Sequence, residues 1–139
     1  MNIAARPQPA SQPIELILLR QVASYLDMPI FLVDADGQLL YYNEPAEPLL
    51  GVRFDEVGPM AVDDWLAAFR PGEPSGQQLP KSQVPLIRAL EQGQPVHEAL
   101  RIAGLDGVHR VVDVTALPLR GQAGQLLGAI SFFWLRDGA

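Results

Sequence analysis

The chain contains no cysteine. That excludes disulfides, thiol nucleophiles, thiolate metal centres and any chromophore or flavin bonded through a cysteine. Positive charge is also scarce: ten Lys and Arg stand against sixteen Asp and Glu, for a net charge of −6. No short window gathers Lys or Arg, so the basic cluster that a nucleic-acid face needs is missing. No run approaches the ~18 apolar residues of a membrane-spanning helix. The first six residues, Met-Asn-Ile-Ala-Ala-Arg, lack the apolar core of a signal peptide. These absences point to a cytoplasmic domain with no nucleic-acid or membrane partner. Histidine is nearly absent too: only His97 and His109 occur, each near the end of a predicted strand and without metal-ligand spacing to acids or to the other. There is no Gly-x-Ser-x-Gly elbow for a nucleophilic serine and no Gly-x-x-x-x-Gly-Lys loop for phosphate.

What is present is enough for one domain with a real core: 139 residues, 48% hydrophobic and 19% charged. Pro29 to Asn43 organises the rest. Two apolar runs, Ile30–Val33 and Leu39–Tyr42, flank Asp34-Ala35-Asp36-Gly37. Glycine takes positive φ readily and aspartate bonds its own backbone, so the stretch reads as a hairpin. Strict alternation puts Phe31, Val33, Leu40 and Tyr42 on one face and Ile30, Leu32, Leu39 and Tyr41 on the other. A hairpin apolar on both faces needs cover on both sides. Asn43 is placed to cap a following helix.

Before the hairpin, residues 1–13 are polar with Pro7 and Pro9, which predicts a disordered tail. Ile14 to Asp27 follows helical spacing. Its stripe Ile14, Leu18, Val22, Leu26 is expected to cover the hairpin's outer face, leaving Leu16 and Ile17 for a homodimer seam. After the hairpin, Asn43 to Gly51 predicts a short helix interrupted by Pro48, and Val52 to Ala61 a loop. A helix opens at Val62-Asp63-Asp64-Trp65, with acids suited to the helix dipole, and stops at Arg70-Pro71-Gly72. Pro71 to Pro80 is a Gly/Pro/Gln-rich connection. Ser82 is expected to cap a third helix, with Pro85 in its first turn, Leu86, Ile87, Ala89 and Leu90 facing inward, and Gly93 at its end. Val96–Ala103, Val108–Leu119 and Leu126–Leu135 then read as three strands of a meander. Together these elements predict an α+β fold: a five-stranded antiparallel sheet with short flanking helices and an N-terminal cap helix.

In order and spacing these pieces resemble a PAS domain, the α/β sensory fold, from about Leu19 to Leu135. The resemblance rests on Ile30 to Gly37, Tyr42-Asn43 with Ala46 and Leu49-Leu50-Gly51, Leu79-Pro80, Pro85 to Leu90, and Gly93 to Val96. It continues through Asp106-Gly107, Arg110, Pro118-Leu119 and Gly124 to Ala129. It implies a PAS domain over residues 14–136, followed by a short tail over 137–139. Some members bind haem through a histidine in the helix before the meander, and flavin-binding members carry a cysteine motif. Ser82 to Gln92 holds no histidine and the chain no cysteine, so no cofactor is expected. Members often continue from Asp-Ile/Val-Thr into a signalling helix; the sequence here ends Arg136-Asp137-Gly138-Ala139, as a stand-alone module or an excised piece.

The function implied is a sensory or interaction module of a signalling protein, not an enzyme. It would bind a small apolar or amphipathic ligand in its core, dimerise, and pass a signal to a partner protein. The candidate ligand-binding residues are Phe31, Val33, Leu40, Tyr42, Trp65, Phe69, Leu86, Leu90, Val112 and Val114, with Phe132 or Phe133 and Trp134 adding aromatic walls. Tyr42 is the first candidate for a polar handle, and Arg88 or Arg101 for a carboxylate head group. The plain alternative for these residues is a packed core. Two rivals follow: a ligand-free dimerisation scaffold, and a small enzyme in which Tyr42 with Asp34 or Asp113 forms an acid–base pair.

Overall fold

A computed structural model describes residues 12–136. The tail expected over residues 1–13 falls outside the described residues apart from its last two positions, and the tail over 137–139 falls outside them entirely. In chain order the main elements are α1 (Ile14–Tyr25), β1 (Ile30–Asp34), β2 (Leu39–Tyr42), α2 (Glu47–Leu50), α3 (Phe54–Val57), α4 (Val62–Phe69), α5 (Pro85–Gln92), β3 (Val96–Ala103), β4 (His109–Arg120) and β5 (Leu126–Leu135). The strands form one antiparallel sheet in the order β2-β1-β5-β4-β3.

The β1–β2 turn follows from its residues. Asp34 Oδ1 accepts from the backbone amides of Asp36 and Gln38, both at 2.9 Å, and Gly37 takes a φ of +85° that side chains resist. Beyond the turn the alternation fails. Phe31 pairs with Tyr42, Leu32 with Tyr41 and Val33 with Leu39, leaving Leu40 as an extra residue on β2. Such a bulge shifts the faces by one residue. Leu39 therefore joins Phe31, Val33 and Tyr42 on the inner face, whereas Leu40 joins Ile30 and Leu32 on the outer face. The expectation that Leu40 lines the ligand site is corrected by this bulge.

The two prolines after β2 divide the predicted helix. A 3₁₀ turn, Glu44–Ala46, and α2 each carry a proline in their first turn, where the missing amide is harmless, and Gly51 closes α2 with a φ of +76°. Within the predicted loop 52–61, one turn of helix forms at α3 and buries Phe54 against Tyr41 and Tyr42. A single turn is too short to show a 3.6-residue period. Ser82 lies in a 3₁₀ turn, Lys81–Gln83, and does not cap α5, whose N-cap is Val84. Gly93 ends α5 as expected.

The helices α2 to α5 cover the inner face, and α1 lies on the outer one. α1 docks through a different face from the one its spacing predicts. Leu16 and Ala23 are buried, with Leu19 beside them, against Ile30, Leu32, Leu40, Leu127 and Ile130. Ile14, Leu18, Val22, Tyr25 and Leu26 are exposed. Small Ala23 lets the helix come close to the sheet, and that close approach selects the docked face. Leu16, assigned to a dimer seam, is instead 1% exposed within the single chain; Ile17 does remain at the surface. The guanidinium of Arg20 lies 4.8 Å from the Tyr41 ring centroid, a cation–π contact that holds α1 over β2.

The β3–β4 hairpin tip is fastened to the end of α2. Leu105 N donates to the Leu50 carbonyl at 2.8 Å and Arg110 Nη1 to the Leu49 carbonyl at 3.0 Å. On the free edge of the sheet, Gly72 exchanges both backbone hydrogen bonds with Arg101 of edge strand β3. The segment after α4 is thereby tied to the β3 edge of the sheet.

Candidate functional site

Between the inner face and its helices lies a cavity of about 60 Å³. The strands contribute Phe31 from β1, Leu100 and Ile102 from β3, Val112 and Val114 from β4, and Ser131 and Phe133 from β5. The cover contributes Leu50 from α2, Trp65 and Phe69 from α4, Pro71 after it, and Val84, Pro85 and Leu86 at the start of α5. Alternation along β3, β4 and β5 places these strand residues on one surface, and the two prolines and Val84 fix the chain where it turns over that surface.

The aromatic wall is ordered around Phe31. Its ring meets Trp65 edge-on at 5.2 Å and Phe69 edge-on at 6.3 Å, and stacks on Tyr42 at 6.1 Å. The polar ends of these rings are satisfied elsewhere. Trp65 Nε1 donates to the Gly37 carbonyl at 2.8 Å, which locks α4 to the β1–β2 turn. The Tyr42 hydroxyl donates to the Val52 carbonyl at 2.9 Å. Burial pushes the Tyr42 phenol well above its ordinary pKa, so it stays protonated.

Of the sequence-predicted ligand residues, Phe31, Trp65, Phe69, Leu86, Val112 and Val114 line the cavity together. Val33, Tyr42 and Leu90 belong to the same core without reaching its surface, and Leu40 lies on the far side of the sheet. Tyr42 is therefore not the cavity's polar handle. Of the strand-end aromatics, Phe133 lines the cavity, Phe132 packs on the outer face and Trp134 is exposed. Arg88 pairs with Glu98 at 2.7 Å, and Arg101 lies at the edge beside Gly76; neither meets the cavity. The proposed acid–base partners are also apart from it: Asp34 holds its turn, and Asp113 pairs with Arg136 at 2.8 Å. Among the described residues no group of His, Asp and Glu is placed to hold a metal ion, and no helix is long and apolar enough to cross a membrane.

Sequence reasoning missed Leu50, Pro71, Val84, Pro85, Leu100, Ile102 and Ser131. Ser131 carried a usable signal: it is the single polar residue in Leu126–Leu135, and it falls two residues from Ala129 and from Phe133, both of the inner core. Leu100 and Ile102 alternate on β3 beside Val112 and Val114 of β4 and were legible from that spacing, whereas Pro71, Val84 and Pro85 needed the path of the 71–85 segment, which its composition does not encode.

A mixed cover of short helices over an apolar cavity, on the inner face of a 2-1-5-4-3 sheet, defines a sensory-type α+β domain. A family model described as PAS fold matches residues 24–134, and the chain belongs to the PAS family. Among solved structures it is similar to the PAS domain of a protein from Colwellia psychrerythraea, at 16% identity over 90% of this chain and 99% of that one, with a TM-score of 0.61. It is similar to the Rhodobacter sphaeroides LOV protein, at 15% identity over 91% of this chain and 71% of that one, with a TM-score of 0.69. The light-state dimer of the fungal blue-light photoreceptor Vivid matches at 14% identity over 96% of this chain and 99% of that one, with a TM-score of 0.61. At such identities the likeness is one of fold. The comparison with curated proteins finds no match.

Proposed function

We propose that this PAS domain is a cytoplasmic sensory and interaction module that takes a small uncharged ligand in its core cavity and pairs with a second copy through α1. The observation that carries the reading is the cavity itself. A ligand-free scaffold is best served by a solid core, and protein interiors leave few voids larger than a water molecule. The cavity instead leaves about 60 Å³ bounded by Phe31, Trp65, Phe69, Leu86, Val112 and Val114. The reading involves neither haem nor flavin. Pockets for drug-sized ligands occupy several hundred Å³, and the chain has no cysteine to bond a flavin.

Pairing is supported by the outward side of α1, where Ile14, Ile17, Leu18, Val22 and Tyr25 are each about half exposed or more. A contiguous apolar face of this kind is uncommon on a monomer, and a two-fold pair uses the same face twice. A structural neighbour described as a light-state dimer is in keeping with it. The same exposed face favours the second reading, a dimerisation scaffold with no ligand, and the two separate on the cavity. Spectra of ¹⁵N-labelled protein recorded under rising xenon pressure distinguish them. Saturable shifts centred on Phe31, Val112 and Phe133 are expected for an open cavity; shifts that are linear and dispersed over the surface would leave the scaffold.

A further inference from the structure

Resting on the reading of the cavity as a binding site, we infer that its ligand is a neutral molecule of a few heavy atoms carrying one hydrogen-bonding oxygen, a small ketone or alcohol, seated against the hydroxyl of Ser131. Ser131 pairs with Phe31 on one side and Ala116 on the other, and both of these face the inner core. Its side chain lines the cavity, and the residue is only 6% exposed. It is the sole non-carbon side-chain group there apart from the Trp65 indole, whose Nε1 is already bonded to Gly37.

Among the described residues the Ser131 hydroxyl makes no hydrogen bond, yet no side-chain nitrogen or oxygen sealed away from open space lacks a partner. The two facts agree if Ser131 Oγ borders the cavity. A buried hydroxyl without a partner is costly, so the site favours an occupant that supplies one. Water is a poor tenant, since a buried water needs two to four polar partners and the wall offers one. A charged occupant is worse still, because nothing on the wall compensates its charge.

Size sets the other bound. A dry cavity of ~150 Å³ holds benzene or xenon, and this one is less than half as large. A molecule of about three to five heavy atoms fits, and the affinity ceiling for so few atoms makes binding of micromolar to millimolar strength.

The test titrates the full chain with acetone, following amide shifts of the cavity strands, with xenon and acetate as companion probes and Ser131→Ala as the variant. Acetone is expected to give saturable shifts, weakened about three- to tenfold in Ser131→Ala, while xenon binds wild type and variant alike and acetate does not bind. Acetone affinity unchanged in Ser131→Ala, or acetate binding as well as acetone, would overturn the inference. Xenon binding without acetone binding overturns it as well, and leaves the cavity reading intact. Failure of xenon itself removes both.

Discussion

Asn43 Nδ2, at the end of β2, donates to the carbonyl of Ala23 in α1 at 3.0 Å. The same nitrogen donates to the Met28 carbonyl at 2.9 Å, and Asn43 Oδ1 accepts from Ile30 N at 2.9 Å. One fully buried amide therefore joins the last turn of α1, the connection that follows it and the first residue of β1. Asn43 does not cap the next turn, where a side-chain cap bond is absent. Removing it leaves the buried Ile30 amide without its acceptor and takes a donor from the Ala23 and Met28 carbonyls, so Asn43→Ala is expected to cost about 2–4 kcal/mol. Thermal melting reads the loss, and faster amide exchange in α1 shows where it falls. A variant as stable as wild type, with α1 unchanged, would refute the tether.

The two faces of α1 make opposite predictions. Leu16→Ala empties a buried site against the sheet and is expected to cost about 2–5 kcal/mol. Leu18→Glu with Val22→Glu alters only the exposed face, so the melting temperature is expected to hold while pairing is lost. Light scattering at ~100 µM, well above the range of tight association, measures the mass. If the double variant pairs as well as wild type, the α1 seam is wrong.

Gly37 is required twice over. Its φ of +85° disfavours any side chain, and an added Cβ would meet Val62 Cγ2 at 3.2 Å. Gly37→Val is expected to lose roughly 1 kcal/mol or more, and to disturb the Trp65 bond to the Gly37 carbonyl. Denaturant unfolding followed by Trp fluorescence reports both. An unchanged midpoint would count against the strained turn.

Asp106 gives the fold a small acid sensitivity. Its hydrogen bond from Arg110, at 2.8 Å, holds its carboxyl down to about 2. A carboxylate depressed in the folded state contributes stability that is fully present above its unfolded value of about 3.9 and is lost as pH falls toward the folded one. Asp106→Asn is therefore expected to be less stable than wild type at pH 5, with the gap closing between about pH 4 and 2. The side chain is exposed, so the gap is small. A difference that stays constant across that window would place its cause outside this ion pair.

Much of the fold is legible in the sequence because its signals are local. Asp34 to Gly37 announces a turn, Gly93 closes a helix, and β3 and β5 begin and end where their apolar runs do. The misreadings share a different origin. Leu40 changed faces through a bulge, which pairing partners create and β2 alone does not. Spacing alone turns Leu16 outward, because the stripe from Ile14 to Leu26 contains more apolar residues; the docked face is instead the one that carries Leu16 and Ala23, with Asn43 reaching the Ala23 carbonyl. Tyr42 looked like the cavity's polar group, but its hydroxyl is taken by Val52, a backbone partner that no sequence pattern announces.

If the cavity binds a ligand and α1 pairs the chains as proposed, occupancy of the cavity is expected to be felt by α1 on the other face of the same strands. Ligand binding shifts such an equilibrium only by its differential affinity for the two arrangements, so the effect is modest and local. Hydrogen exchange of the full chain, with and without xenon at saturating pressure, measures it directly. The account predicts altered exchange at the cavity strands and also around Ala23, Met28 and Ile30, where Asn43 binds helix to sheet. Altered exchange confined to the cavity, with α1 and the Asn43 contacts unchanged, would contradict it.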